Sequence, residues 1–260
     1  MPLSPEHLAE LRVAKALLEN PGLAAKATNV LGSPIEKGFD HLPANWRDKV
    51  ANATREALFY ALKGALLTMD ARANKASLGW HKFAATLSGA AGGAFGLPAL
   101  LVELPVSTTI ICRSIADIAR ANGESLDEVA TQLACLEVFA LGGASAADDA
   151  TETGYFAVRT MLAKAVSDAG KYLAGQAVVS DTAPALVRLV ALIAARFQVQ
   201  VSEKVAAQAV PVLGAAGGAF MNLLFMDHFQ SMSRGHFTVR RLERIYGKAT
   251  IRVAYQQLQV

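Results

Sequence analysis

The sequence predicts an all-α protein, a multi-helix bundle around a central Gly/Ala-rich apolar helical hairpin. Three observations predict it. Apolar residues recur at helical spacing through most of the 260 residues. No segment shows the strict alternation of a half-buried strand. The heptamer GAAGGAF occurs twice, at Gly89–Phe95 and at Gly214–Phe220, each time inside an uncharged apolar window.

In chain order, the first helix is predicted at about 5–19. The second, NWRDKVANATREALFYALKGALLTMD, puts Val50, Ala53, Ala57 and Ala61 on one face. A third at about 82–97 carries the first heptamer. A fourth at 104–121 opens around Pro105, with Ser107, Thr108 and Thr109 as first-turn residues that could also meet a ligand. SLDEVATQLACLEVFAL opens on a capping box, Ser125 with Glu128, and spaces Val129, Leu133, Leu136 and Phe139 along one face. Helices at about 151–174, 184–205, 211–230 and 237–259 complete the set. Asn122-Gly123, Gly142-Gly143 and Gly235 punctuate it. The chain reads as one domain over 1–260, with GGASAADDATET at 142–153 as an exposed joint.

Hydrophobic residues make up 53% and charged residues 18%, against about 25% charged in an ordinary soluble domain. Such a chain either packs very deeply or touches lipid. Uncharged runs extend from Phe83 to Val102 and from Val205 to Met226, each near the roughly 20 residues of a membrane span. Their Gly, Ala and Pro content favours a buried central hairpin in a soluble bundle; the alternatives are a hairpin that meets lipid only after docking and true spanning helices. A net charge of +3 and sparse aromatic interleaving argue against a nucleic-acid partner. The opening MPLSPEHLAELRVAK carries acids and no apolar core, so a cytoplasmic protein, peripheral at the inner face of the cell membrane, is expected. Cys112 and Cys135 fall in apolar helical runs and read as reduced core residues.

The heptamer is not a phosphate loop, because no strand precedes it and no Lys-Ser/Thr follows it. Helix packing suits it better. Gly89 with Gly93, Gly92 with Gly96, and Gly214 with Gly218 are spaced to stack on one helix face, where a second backbone can approach. Each glycine costs about 1 kcal/mol of helix propensity relative to alanine, so tight contact between the two copies is the expected compensation.

Candidate chemistry is thin. Arg113 and Asp117, with Arg120 beyond them, form an i, i+4 pair that is a surface ion pair or the wall of a polar pocket. Glu103, Asp227 and His228 stand at the ends of the apolar runs, and His236 lies just beyond. Together Glu103, Arg113, Asp117, Asp227, His228 and His236 are the weak candidates for a hydrolase site. The histidine spacing does not match the H-E-x-x-H zinc arrangement, and Asp148-Asp149 would need ligands from elsewhere, so no metal or cofactor is expected. From Ser231 onward six cations face Glu243 alone. Arg240, Arg244, Lys248 and Arg252 form one stripe of the predicted last helix, beside an apolar stripe of Leu242, Ile245, Ala249 and Val253. A basic amphipathic helix of this kind suits anionic head groups.

Several segments in combination resemble the bacterial EcsC family. They are the first heptamer with GLPALLVELPVSTTIICRSIADIARANGE, then CLEVFALGG, then AVPVLGAAGGAFMNLLFMDHFQSMSRGHFTVRRLERIYG, with KATNVLGSPIEKGFDHLP near the start. The resemblance implies a link to secretion, through the ABC exporter beside whose gene the family's founding gene lies. It carries over no catalytic residue. The expectation is therefore a non-enzymatic protein that binds anionic membrane lipid or an acyl chain, with Arg113, Arg240, Arg244, Lys248 and Arg252 at head groups. The alternatives are the hydrolase and a partner-binding module for a membrane transporter.

Overall fold

The computed structural model describes residues 3–19, 42, 44–68, 97–142, 154–175, 180, 182–209 and 214–259. Among them the chain is 87% helical, without a strand. The helices are α1 (Pro5–Leu18), α2 (Trp46–Thr68), α3 (Leu97–Ala121), α4 (Val129–Glu137) with a 3₁₀ turn at Val138–Ala140, α5 (Gly154–Ala174), α6 (Pro184–Ala209), α7 (Gly214–Tyr246) and α8 (Lys248–Gln257). The all-α reading holds.

Local rules account for most boundaries. Ser4 caps α1 by accepting the His7 amide at 3.2 Å, and Pro5 takes the first helical position. The predicted face of α2 is buried at Val50, Ala57 and Ala61. Leu133, Leu136 and Phe139 are buried as their spacing required.

Four boundaries differ from the sequence reading. Helix α3 begins at Leu97 and runs through Pro105, so Ser107, Thr108 and Thr109 sit within it rather than in its first turn. Pro105 cannot donate back to Leu101, and its own carbonyl is also taken by the Thr109 hydroxyl at 2.8 Å. No capping box forms at Ser125 and Glu128. Those residues make a turn, and α4 starts at Val129 with Glu128 as an N-cap whose side chain makes no cap hydrogen bond. Gly235 does not interrupt α7. It lies where α1 crosses, and a Cβ there would come within 2.6 Å of Leu18 Cγ and 3.0 Å of the Ala14 carbonyl. The break comes instead at Gly247, whose φ of +86° turns the chain between α7 and α8.

The last correction dissolves the predicted apolar stripe. Leu242 is buried, but Ile245 and Val253 are 55% and 53% exposed. Helix α8 instead buries Ile251 and Tyr255. Lys15 of α1 fixes the far end of α8 by donating to the Tyr255 and Leu258 carbonyls at 3.0 and 2.8 Å, a cation against a helix C-terminus.

Helix α7 is the spine of the bundle, packing on α1, α3, α6 and α8. Its core turns are aromatic: Phe225 and Phe229 interlock with Phe139 and Phe197 at centroid separations of 5.0–5.9 Å. The uncharged run 205–226 is not one helix, since α6 ends at Ala209 and α7 begins at Gly214. Among the described residues one helix is long and apolar enough to cross a membrane by length and composition, α6 over Pro184–Ala207. Gly214 and Gly218 occupy the first turns of α7, while Gly89, Gly92, Gly93 and Gly96 lie outside the described residues.

Candidate functional site

The residues singled out in the sequence are distributed along α7 and its neighbours rather than gathered. Glu103 on α3 accepts from Lys204 Nζ of α6 at 3.0 Å and from Asn222 Nδ2 of α7 at 2.8 Å. All three are buried, and the Lys204 ammonium also lies 5.0 Å from the centre of the Phe225 ring. Burial pushes the Glu103 carboxyl up. The Lys204 charge and hydrogen bonds from Asn222, Lys204 and Ser107 outweigh it, leaving the group below its usual range. Two of the four charges that bound the apolar runs, Glu103 and Lys204, thus meet each other inside the core.

His228 lies further along α7, its Nε2 3.5 Å from Gln200 Nε2, which also donates to the Leu141 carbonyl at 2.6 Å. His236 lies fourteen residues beyond Asn222, about 21 Å along a helix rising 1.5 Å per residue. Its Nδ1 is 3.1 Å from the Tyr155 hydroxyl, and its Nε2 is 3.8 Å from Glu137. Burial, then Arg159 and Arg240, push the His236 pKa far down. Burial pushes Glu137 up against the pull of Arg159 and Arg240. Both groups are therefore biased toward their neutral forms, which disfavours an ion pair between them. Asp227 is half-buried, Arg113 is exposed, and Asp117 pairs with Arg120, not Arg113. Neither cavity formed by the described residues alone is lined by any of the six hydrolase candidates. Among the described residues no three His, Cys, Asp or Glu side chains converge as a metal site. Cys112 and Cys135 are buried free thiols, with burial pushing Cys112 up to about 12.

Five of the six C-terminal cations divide three ways. Arg240 and Arg244 turn inward onto Glu124: Arg240 Nε and Nη2 approach its carboxylate at 2.9 and 3.1 Å, and Arg244 binds the same carboxylate and the Asn122 carbonyl. Burial raises Glu124, but the two guanidinium groups more than reverse it, so its pKa is lowered. Arg241 pairs with Glu10 of α1 at 2.7 Å. Lys248 and Arg252, on α8, go elsewhere.

That place is a groove of about 390 Å³ between α5, the end of α7 and α8, lined by Phe156, Arg159, Thr160, Ala163, Glu243, Lys248, Ala249 and Arg252. Arg159 grips Glu243 with both Nη atoms, at 2.7 and 3.0 Å, a fork geometry that fixes the guanidinium plane. The ring of Phe156 has two guanidinium groups beside it, Arg159 Cζ and Arg252 Cζ each 5.7 Å from its centre. Burial lowers the Arg159 pKa, but Tyr155 and Glu243 raise it further, so the group stays charged. Gly247, as N-cap of α8, offers no side chain to the amides of the first turn beside Lys248 and Ala249. Two exposed apolar side chains neighbour groove residues in sequence, Met161 at 44% exposure beside Thr160 and Val253 beside Arg252, and a third, Ile245, lies two residues after Glu243.

Sequence reasoning reached Lys248 and Arg252 but missed Phe156 and Arg159, whose α5 segment carries no motif. It also missed the division of the basic stripe. A signal for that was present, since Gly247 follows Arg244 and Tyr246 as a helix-ending glycine follows a basic last turn.

No curated protein and no solved structure is significantly similar to the chain. The model of the EcsC protein family matches residues 6–242, from the start of α1 to Leu242 near the end of α7. With nearly the whole chain matched, the protein belongs to the EcsC family.

Proposed function

We propose that this protein is a non-enzymatic, peripheral membrane protein that holds anionic lipid head groups in the groove between α5 and α8, at the cytoplasmic face of a bacterial membrane. The observation that carries the reading is the groove lining: among the described residues Arg159, Lys248 and Arg252 gather with one acid, Glu243, beside Phe156, Ala163 and Ala249. Cations near an anionic surface contribute about 1 kcal/mol each. Met161, Ile245 and Val253 supply the apolar contact that an interfacial protein places among acyl chains. Arg240 and Arg244, engaged by Glu124, drop out of the head-group role and hold α7 to the α3–α4 turn.

The test is flotation with phosphatidylcholine vesicles containing phosphatidylglycerol. Binding is expected at low salt and to fade as salt rises, because screening shortens the reach of surface charge. Lys248→Gln with Arg252→Gln should weaken partitioning by about thirtyfold, from roughly 2 kcal/mol. Arg12→Gln with Lys171→Gln removes the same charge from two exposed positions off the groove and should leave binding within a factor of about three, half a logarithmic unit. Equal losses from the two pairs, or no flotation of the wild-type protein at all, would reject the groove as the lipid site.

A further inference from the structure

We infer that the face of the molecule formed by α1 and α7 is a twofold dimer interface, and that a second copy of this chain occupies the groove between the two helices. The inference is independent of the lipid reading.

Helices α1 and α7 run antiparallel. The Ser4 amide and the His7 ring reach the Tyr246 hydroxyl at 3.3 and 2.8 Å, Glu10 meets Arg241, and Ala14 and Leu18 close on Gly235. Beside this seam lies an open groove of about 520 Å³ whose apolar lining, Ala9, Val13 and Leu17, comes from α1. Val13 is 61% exposed. The charges are spread along the groove in order. Glu10 and Arg241 pair across its middle, with Glu6 toward one end and Arg234 toward the other. Both outer residues are exposed, and among the described residues neither has a hydrogen-bond or ion-pair partner. Arg234 stands seven residues before Arg241 on α7, and Glu6 lies one further turn away on α1. About 16 Å of helix therefore keeps Glu6 and Arg234 from reaching each other within one copy.

A surface with an acid at one end, a cation at the other and an apolar centre is complementary to itself after a half-turn. A twofold contact demands that property, because whatever residue i offers to j must also be offered by j to i. Two copies with their α1 helices antiparallel bring each Glu6 to Arg234 of the partner subunit. In the same register Val13 falls on Ala9 of the partner subunit, a ridge against a small residue, twice over. A different protein would have to match this spacing of charges independently, whereas a second copy carries it already. The apolar centre supplies the affinity, and the two outer ion pairs fix the register.

The experiment is sedimentation velocity of the full-length protein at rising concentration, without lipid. A dimer is expected with a dissociation constant of about 10 μM. Glu6→Arg and Arg234→Glu each set two like-charge contacts across the twofold axis and should each weaken the dimer about thirtyfold. Mixing the two variants should restore association, because in the mixed dimer both contacts again join unlike charges. Val13→Asp should leave a monomer. All three positions are exposed, so urea midpoints should stay near the wild-type value, which separates lost association from lost folding. A wild-type protein still monomeric at about 200 μM overturns the second copy as occupant and leaves the face to a different protein. A dimer unmoved by the three substitutions overturns this face as the interface. A mixture no tighter than its components overturns the twofold register.

Discussion

Replacing Lys204 by methionine is expected to lower the stability of the protein by about 3–5 kcal/mol, the cost of leaving a buried charge uncompensated. Lys204 is wholly buried, and its ammonium is one of the donors that keep Glu103 ionised inside the core. Methionine fills similar volume, so the loss reports charge rather than a cavity. The sign of the pH dependence separates the two explanations. In the wild-type protein the Glu103 pKa is lowered by its partners. Its contribution to stability is therefore present above the ordinary carboxylate value and is lost as pH falls through the lower, folded-state value. In Lys204→Met only the Asn222 and Ser107 hydrogen bonds still oppose the desolvation of Glu103, its folded pKa rises, and the penalty is relieved as pH falls. The urea midpoints of the two proteins should thus converge between pH 7 and pH 4. Adding Glu103→Leu to Lys204→Met should restore most of the loss at neutral pH, since apolar replacements of a buried pair are often neutral or better. A constant gap across pH would show that packing, not charge, was lost.

The second large effect is expected at Gly142→Ala. Gly142 ends the segment after the 3₁₀ turn with φ of +73°, and a Cβ there would lie 2.6 Å from His228 Cε1 and 2.7 Å from Met232 Sδ. The left-handed conformation costs an L-residue about 1–2 kcal/mol, and overpacking a filled site typically costs about 1–3 kcal/mol. A total loss of about 2–5 kcal/mol should appear as a lower urea midpoint with an unchanged slope. Because His228 supplies the closest atoms, a double-mutant cycle of Gly142→Ala with His228→Ala should show coupling. A variant as stable as wild type would mean that Leu141, held by Gln200, and the turn after it do not press on α7 as described.

The buried polar residues of α7 explain why these two sites are so sensitive. Asn222 reaches Glu103 on α3, Gln230 reaches Ser114 on α3 at 2.9 Å, and His236 reaches Tyr155 on α5. Each pairing demands a particular register of one helix against another. A core of alanine and leucine would tolerate sliding between helices; these bonds do not.

That same feature marks the limit of what the sequence revealed. Periodicity located α1, α2 and α5 to within a few residues, because their buried faces are apolar at helical spacing. It divided α7 in two because Gly235 reads as a stop, and only the approach of α1 shows why a glycine stands in mid-helix there. It joined the end of α7 to α8 because Arg240, Arg244, Lys248 and Arg252 keep the period across Gly247. The groove was half legible. Lys248 and Arg252 belonged to a visible cationic pattern, whereas Arg159 becomes a site residue only through Phe156 and Glu243, its neighbours in space. Glu103 and Lys204 were visible as the edges of two uncharged runs, but nothing in one dimension says that two edges meet.

Hydrogen–deuterium exchange with and without anionic vesicles tests the central claim most directly. Head-group binding in the groove predicts slower exchange in α5 around Arg159 and Thr160 and in α8 from Lys248 to Arg252, with the exposed face of α1 unchanged. Protection confined to another surface, such as the apolar length of α6, would contradict it.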